Sequence, residues 1–429
     1  MTAKPIKSNS LLTPATPKPR GLDGLAKKIL LKKLAHLQMG KLHIVDGQEH
    51  YHFGQESEIS GLTKLSVRID VLHPQFYSDV VFGGSIGAGE AYMSQYFECD
   101  NLTALIRLMV RNQSLLDNIE KGFAKLTIPL QKFFHFLHRN TQSGSKKNIA
   151  AHYDLGNDFF ELMLDDTMMY SSGIYSKPTE KLRQASINKL EAICRKLDLT
   201  ERDHLLEIGT GWGGFAVYAA QNYGCQVTTT TISNQQYLLA LERVKKAGLQ
   251  DKVTVLKQDY RDLQGQYDKL VSIEMIEAVG YQFYDTFFSQ CARLLKPEGM
   301  MLLQAITIVD QRYESAIKSV DFIQRYIFPG SCIPSSTAIL QSLTRSTDLR
   351  IYDLHDIGAS YAKTLAAWRK NVHQYRTEII ALGYPEKFLR MWDFYLCYCE
   401  GGFAERALSD VQMLLIKPMN RRDNLLARQ

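Results

Sequence analysis

The sequence predicts an α/β protein: a doubly wound, mostly parallel sheet of seven strands preceded by a smaller α+β domain. Three observations carry this. From residue 200 onward strand-like and helix-like stretches alternate, the pattern of parallel strands joined by crossover helices. A glycine-rich turn, "GTGWGG" at 209–214, separates the strand-like "HLLEI" from the helix-like "GFAVYAAQNYG". Two later strand-like stretches, "LRIYDLHDI" and "DVQMLLIKP", are placed to close the sheet with an antiparallel edge.

A chain of 429 residues buries a large core and allows two or three domains. Its net charge of +6 is uneven. Residues 1–41 hold Lys4, Lys7, Lys18, Arg20, Lys27, Lys28, Lys32, Lys33 and Lys41 against the single acid Asp23. Such an arm suits nucleic acid or an anionic membrane surface equally, and a solvated tail is the plainer alternative. No stretch approaches the ~20 apolar residues of a membrane span and no signal peptide opens the chain, so a cytoplasmic protein is expected. The seven cysteines are scattered, and Cys397 with Cys399 has no second cluster to complete a zinc site. No metal centre is expected, and the thiols are expected to be reduced.

Along the chain, residues 1–20 read as a disordered basic arm. The stretch "GLAKKILLKKLAHLQ" places Leu22, Leu25, Ala26, Ile29, Leu30 and Leu37 at helical spacing, with Lys33 intruding on the apolar side. It reads as a helix that caps a domain or lies on a membrane. Residues 21–139 read as a small mixed domain, with strands in "LHIVDG" and "KLSVRIDVL" and helices around a glycine-rich turn in "FGGSIGAGEAY". A linker, "NTQSGSKKN" at 140–148, separates it from a larger domain spanning 149–429.

The glycine loop asks which nucleotide it wraps. A dinucleotide site wants G-x-G-x-x-G and an acid about 20 residues on for the ribose. Here the second strand ends in "TTTTISNQQ" with no acid, and bulky Trp212 sits where a pyrophosphate needs room. The acid present, Glu207, precedes Gly209, Gly211 and Gly213, where it can meet a cationic amino group. That pattern points to S-adenosylmethionine, with Thr231, Ser233 and Gln236 as neutral ribose partners and "QDY", 258–260, beside the adenine. A dehydrogenase is the disfavoured alternative.

From about residue 72 to 418 the sequence resembles the cyclopropane-fatty-acyl-phospholipid synthase family, which includes the mycolic acid cyclopropane synthases and methyltransferases. The resemblance rests on an ordered set: "GSIGAGEAYMSQYFECD", "AHYDLGNDFFELMLDDTMMYSS", "LLEIGTGWGG", "TISNQQ", "QDYRDL", "SIEMIEAVG", "RLLKPEGMMLLQAIT", "YIFPGSCIPS" and "SYAKTLAAW". It implies a class I methyltransferase sheet, S-adenosylmethionine as cofactor, and methylene addition across a double bond in an acyl chain of a membrane phospholipid. It implies a peripheral enzyme at the inner face of the membrane, on an anionic surface, with no nucleic acid partner and with homodimers among its relatives. The acyl site must be apolar and dry, and a base must remove a proton so that the ring closes.

The resemblance further implies a bound bicarbonate as base or relay, cradled here by Glu277, Tyr361, Ile306, Ser172 and Gln304. The last two depart from the family pattern, which has Cys and His there; both still donate hydrogen bonds, but neither is an ionisable base near pH 7. Implied cofactor residues are Tyr170, Ser171, Glu207, Gly209, Gly211, Gly213, Thr231, Ser233, Gln236, Asp259, Tyr260 and Arg261, the last replacing an acid of some relatives. Cys399 matches a cysteine proposed as active in the family, although nothing near it in sequence lowers a thiol pKa; a buried core thiol is the alternative. Residues 310–345 are expected to wall the acyl chain. Methyl-branched or exomethylene products, methylation of another hydrophobic molecule, and a silent lipid-binding protein are the competing functions.

Overall fold

The computed structural model describes residues 21–56, 59–113 and 156–422. The expected basic arm and the expected linker lie outside those residues. The N-terminal lobe carries a sheet in the order β2-β1-β3-β4, with β1 Gly40–Asp46, β2 Glu49–Gln55, β3 Ser66–Val71 and β4 Phe97–Cys99. β1 alternates apolar-in and polar-out, placing Leu42 and Ile44 on the core face. The strand β2 escaped the reading of the sequence because "EHYHFGQ" is short of aliphatic residues and mostly exposed. It exists because β1 supplies a full antiparallel ladder from Asp46↔Glu49 to Gly40↔Gln55.

Helix α1, Leu22–Leu34, covers this sheet with Ala26, Leu30 and Leu34. Lys27 pairs with Asp46 and Glu49, and Lys41 with Glu56, so two cations of the basic N-terminal segment are engaged within the lobe. The glycine-rich stretch is not a turn between helices. Residues Gln75–Met93 form one helical element, α2, broken only at Gly84, whose φ of 56° and ψ of −134° only glycine adopts readily. Helix α3, Leu102–Arg111, follows, capped by the Asn101 side chain on the Ala104 N–H.

The larger sheet has the order β10-β11-β9-β8-β5-β6-β7. Its strands are β5 His204–Ile208, β6 Gln226–Thr231, β7 Val253–Lys257, β8 Tyr267–Ile273, β9 Leu295–Ile308, β10 Arg350–Asp356 and β11 Leu408–Ile416. Strands β5 to β9 are mutually parallel. The antiparallel strand is β11, which lies between β9 and β10 rather than at the edge. Crossover helices include α6, Gly214–Tyr223, α7, Asn234–Lys246, and α8, Tyr284–Leu294; before them come α4, Asn157–Met163, and α5, Leu182–Leu197. After β9, α9 (Asp310–Ala316), α10 (Phe322–Tyr326) and α11 (Ser336–Ser346) lead to β10; α12 (Gly358–Gln374), α13 (Arg376–Ala381) and α14 (Glu386–Ala404) precede β11.

The four threonines of β6 are buried, and each hydroxyl finds a partner: His204, Glu207, the Gln258 carbonyl and Gln236 in turn. The order of strands reverses between β5 and β8, so the carboxyl ends of these two frame the crevice where such sheets bind ligands.

The two lobes share one hydrophobic core, in which Leu42, Ile44, Phe76 and Leu108 belong to the same cluster as Phe159, Trp212, Trp368 and Trp392. Helix α14 is the seam. Tyr92 donates to Asp393, Thr103 to Glu400, and Arg107 and Arg111 both pair with Glu405. The Arg111 and Glu405 side chains are only 5% and 9% exposed. Substituting Glu405→Ala leaves two guanidinium groups facing an apolar seam, and breaking such a buried pair typically costs about 3–5 kcal/mol. Urea unfolding of the variant, followed by tryptophan fluorescence, should show a loss of that order, whereas an unchanged midpoint would mean the seam carries no stability.

Candidate active site

A cavity of about 1240 Å³ opens at the carboxyl ends of β5 and β8 and takes its walls from both lobes. At one end stands the glycine loop. Gly209, Gly211 and Gly213 all have positive φ, at 103°, 51° and 83°. A Cβ on Gly211 would meet no protein atom within 4 Å, so the loop holds its backbone open toward a ligand there. Gly213 differs: it is absent from the cavity wall and packs against Ala240 of α7, so its role is to start α6 close to its neighbour.

Glu207 ends β5 with 2% exposure, lining the cavity, and its Oε2 accepts a 2.5 Å hydrogen bond from the Thr229 hydroxyl. Burial raises its pKa to about 8 against the opposing pull of Thr229 and Lys189. The pocket therefore presents an acid that ionises when a cation arrives to pair with it. Thr231 and Gln236 line the wall, joined by a 2.8 Å hydrogen bond from the threonine hydroxyl to the glutamine oxygen, which leaves the glutamine NH₂ for a ligand. Ser233 instead caps α7 through the Gln236 N–H and lies off the wall. Asp259, Tyr260 and Arg261 line the far side of the cofactor end, with Arg261 folded back onto Asp259 at 2.6 Å. Tyr170 and Ser171 line it too; Tyr170 meets the Tyr395 hydroxyl, and Ser171 Oγ accepts from Lys189 Nζ at 2.8 Å. These groups form a concave site with an ionisable acid, an open backbone and neutral donors, which fits an adenosyl cofactor bearing an ammonium group.

Next to it sit the groups expected to work on the substrate. Ile306 N–H donates to Glu277 Oε1 at 2.5 Å, and Glu277 Oε2 is buried with no hydrogen-bonding partner. Burial, and then the nearby Glu274, raise the Glu277 pKa to about 8. The remaining expected cradle residues converge on a different acid. Ser172 N–H donates to Glu274 Oε1 at 2.8 Å, Gln304 Nε2 donates to the same oxygen at 2.8 Å, and the Tyr361 hydroxyl donates to Oε2 at 2.6 Å. Three donors and no acceptor are the partner set of a carboxylate. The Ser172 hydroxyl points away, onto the Gly173 carbonyl. A separate bicarbonate does not fit this arrangement, because the donors that would hold it are already engaged by the chain's own carboxyl group.

Glu274 went unnoticed in the sequence, although "SIEMIE" places it just past β8, at the carboxyl end of a parallel strand. Its φ of 48° is a second mark, since a non-glycine residue held in the left-handed region signals a position the surroundings dictate. Other buried polar groups surround it. Gln304 Nε2 also donates to Asp410 at 2.9 Å, and Gln412 donates to the Gln304 oxygen at 3.1 Å. Burial, then Glu274, hold Asp410 in its acid form. Lys189, wholly buried on α5, faces these acids, and burial lowers its pKa to about 8. Nothing in "SINKLEAICRKL" marks Lys189 apart from its neighbours. Cys399 does line the cavity, but burial, then Asp321, push its thiol far above the usual range. It is therefore no thiolate nucleophile; its place is in the wall.

The Glu207 environment sets a testable linkage. Below its pKa of about 8 the free site holds the proton, and pairing with the ammonium of S-adenosylmethionine expels it. Calorimetry at pH 7 in buffers of different ionisation enthalpy should report release of close to one proton per site, with release fading by pH 9. Glu207→Gln should abolish the release and weaken binding. A buffer-independent enthalpy in the unmodified protein would rule this pairing out.

Comparisons with known proteins meet this geometry. Residues 140–413 match the family described as Mycolic acid cyclopropane synthetase. The cyclopropane-fatty-acyl-phospholipid synthase of Escherichia coli (strain K12) is 40% identical over 357 residues, covering 83% of this chain and 88% of that protein. The tuberculostearic acid methyltransferase UfaA1 of Mycobacterium tuberculosis is 36% identical over 341 residues, covering 78% of this chain and 79% of that protein. The structure of mycolic acid cyclopropane synthase CmaA1 complexed with SAH and CTAB superposes with a TM-score of 0.60 at 29% identity, covering 63% of this chain and 98% of that one. The acid-and-glycine pocket, the seven-stranded sheet and these matches agree: the chain belongs to the mycolic acid cyclopropane synthetase family, as an S-adenosylmethionine-dependent methyltransferase acting on lipids.

Proposed function

We propose that the protein adds a methylene across the double bond of an unsaturated acyl chain of a membrane phospholipid, and that Glu274 stands where a bound bicarbonate would otherwise act. The observation that carries this is the gripping of Glu274 by Ser172, Gln304 and Tyr361 beside the partnerless oxygen of Glu277. The cofactor, when bound, supplies an electrophilic methyl group. The chain supplies the rest. Ile306, Phe328, Leu365 and Phe403 give the neighbouring wall its apolar lining, which keeps water from a cationic substrate carbon. The carboxyl groups of Glu274 and Glu277 then accept the proton lost as the electron pair of that C–H bond closes the ring. Ring closure by proton loss is redox-neutral, so a base suffices.

Two features support a membrane-surface substrate. The outer face of α1 exposes Leu22 and Leu25, at 68% and 53%, in line with exposed Lys28 and Lys32, the pairing of apolar and basic groups that an anionic bilayer attracts. No helix among the described residues is long and apolar enough to cross a membrane, so contact would be peripheral. A second reading, transfer that leaves a methyl branch, is supported by similarity to UfaA1, which bears the name of a methyltransferase.

Glu274→Gln separates structure from chemistry, because an amide keeps an oxygen for Ser172 and Gln304 and turns its NH₂ to the Tyr361 oxygen. The variant should bind S-adenosylmethionine as the wild type does and lose about 10²–10⁴-fold in kcat, the usual contribution of a general base. Glu277→Gln should lose turnover as well. Retention of full activity in Glu274→Gln would remove Glu274 from the reaction.

The product itself is read by mass spectrometry and proton NMR of vesicle lipid after turnover. Expected are a gain of one CH₂ per unsaturated chain and the upfield methylene protons of a cyclopropane. A methyl doublet would decide for the second reading, and no change in lipid mass would end both.

A further inference from the structure

The cavity does not stop at the reacting groups. Beyond Cys399 and Phe394 of α14 it passes the broken turn of α2 and ends among Leu30 and Leu34 of α1, Leu42 and Ile44 of β1, and Ile69 of β3. Those side chains are the core of the N-terminal lobe, where close packing without voids is the rule. A total of about 1240 Å³ also exceeds the roughly 300–1,000 Å³ of a site for one compact ligand. None of the five side chains at the far end carries a polar atom, so water entering there finds no partner and only hydrocarbon fits.

The glycines of α2 show how the space is kept. A Cβ on Gly89 would lie 2.3 Å from the Phe322 ring, and one on Gly87 would lie 1.9 Å from the Asp79 carbonyl oxygen, so the second half of the helix is drawn tightly against α10 and its own first half. Gly84 supplies the bend, and Gly83 beside it lines the cavity with nothing within 4 Å of an added Cβ. The helix thus curves round the passage instead of filling it.

We propose that the interior of the N-terminal lobe is a second hydrocarbon site, continuous with the reaction centre, that takes up a saturated stretch of lipid chain while another stretch lies at the cofactor. The stretch is either the far end of the reacting chain or the companion chain of the same lipid. This rests on the lipid acceptor proposed above, and it assigns to the N-terminal lobe a share in choosing the substrate rather than surface attachment alone.

Photolabelling tests it on the unmodified full chain. Phosphatidylglycerol vesicles carry a diazirine at the terminal carbon of either the unsaturated chain or its saturated companion, and labelled peptides are mapped by mass spectrometry. Labels on Leu30, Leu34, Leu42, Ile44 or Ile69 are expected from one of the two probes, and the probe that gives them names the source. Labels confined to residues 156–422, or to the exposed face of α1, would overturn the proposal. Labelling needs no turnover, so a protein that takes the label but leaves the lipid unchanged sinks the reaction assigned above while this site stands.

Two variants give the functional arm. Ile44→Phe fills the end of the chamber, and Gly83→Leu projects into open space at the passage without core repacking, so it folds even where the first does not. Either should lower kcat/KM for long-chain lipid about tenfold, the effect of expelling two methylenes, with cofactor affinity unchanged. Unaltered kcat/KM in both folded variants would overturn the proposal.

Discussion

The grip on Glu274 organises this protein. Its carboxyl group draws donors from three separated parts of the chain: Ser172 before the sheet, Gln304 on β9 and Tyr361 on α12. A buried carboxyl group is costly unless hydrogen bonds replace its water, so these three partners are what permit an acid at the carboxyl end of β8. The left-handed backbone at Glu274 follows, because the chain must leave β8 sharply for the side chain to reach all three at once. The same turn brings the backbone around so that Glu277 meets the Ile306 N–H.

Around that grip the site manages an excess of buried acid. Glu207, Glu274, Glu277 and Asp410 lie near one another, and Lys189 is the buried cation that faces them. In a medium of low dielectric not all these acids ionise together. Burial holds Glu207 and Glu277 protonated up to about pH 8, and Asp410 beyond that. The arrangement leaves Glu207 poised to release its proton to an incoming cation and leaves a partnerless Glu277 oxygen facing the reaction. Replacing Lys189 by a neutral residue would strengthen the repulsion rather than merely open a cavity.

Much of this was legible in the sequence, for identifiable reasons. The alternation after residue 200 predicted every strand of the large sheet, because its buried strands read as apolar or threonine runs bounded by turn residues. Glu207 and the glycines stood out because a strand, an acid and a loop are adjacent along the chain. What stayed hidden depends on residues brought together from afar. Glu274 was quoted in "SIEMIEAVG" and passed over, since only the fold shows that Ser172, Gln304 and Tyr361 turn to it and not to Glu277. Lys189 looked like any helical lysine, β2 lacked an aliphatic pattern, and the glycines of α2 resembled a turn because close helix packing leaves no periodic mark.

The departures at Ser172 and Gln304 now have a common physical sense with Glu274. An anion borrowed from solvent suits neighbours that can change charge as it comes and goes. A carboxyl group belonging to the chain never leaves, so its neighbours need only donate hydrogen bonds of fixed direction. A backbone N–H, an amide and a phenol meet that requirement, and none of them is cationic near neutral pH. A histidine at position 304 would add a titrating charge between Glu274 and Asp410, and in its cationic form would bind Glu274 as an ion pair, lowering its readiness to take a proton. The glutamine instead bridges the two acids through one NH₂ group and accepts from Gln412 through its oxygen. A neutral cradle keeps the acid basic, and that is the property a ring-closing step requires of it.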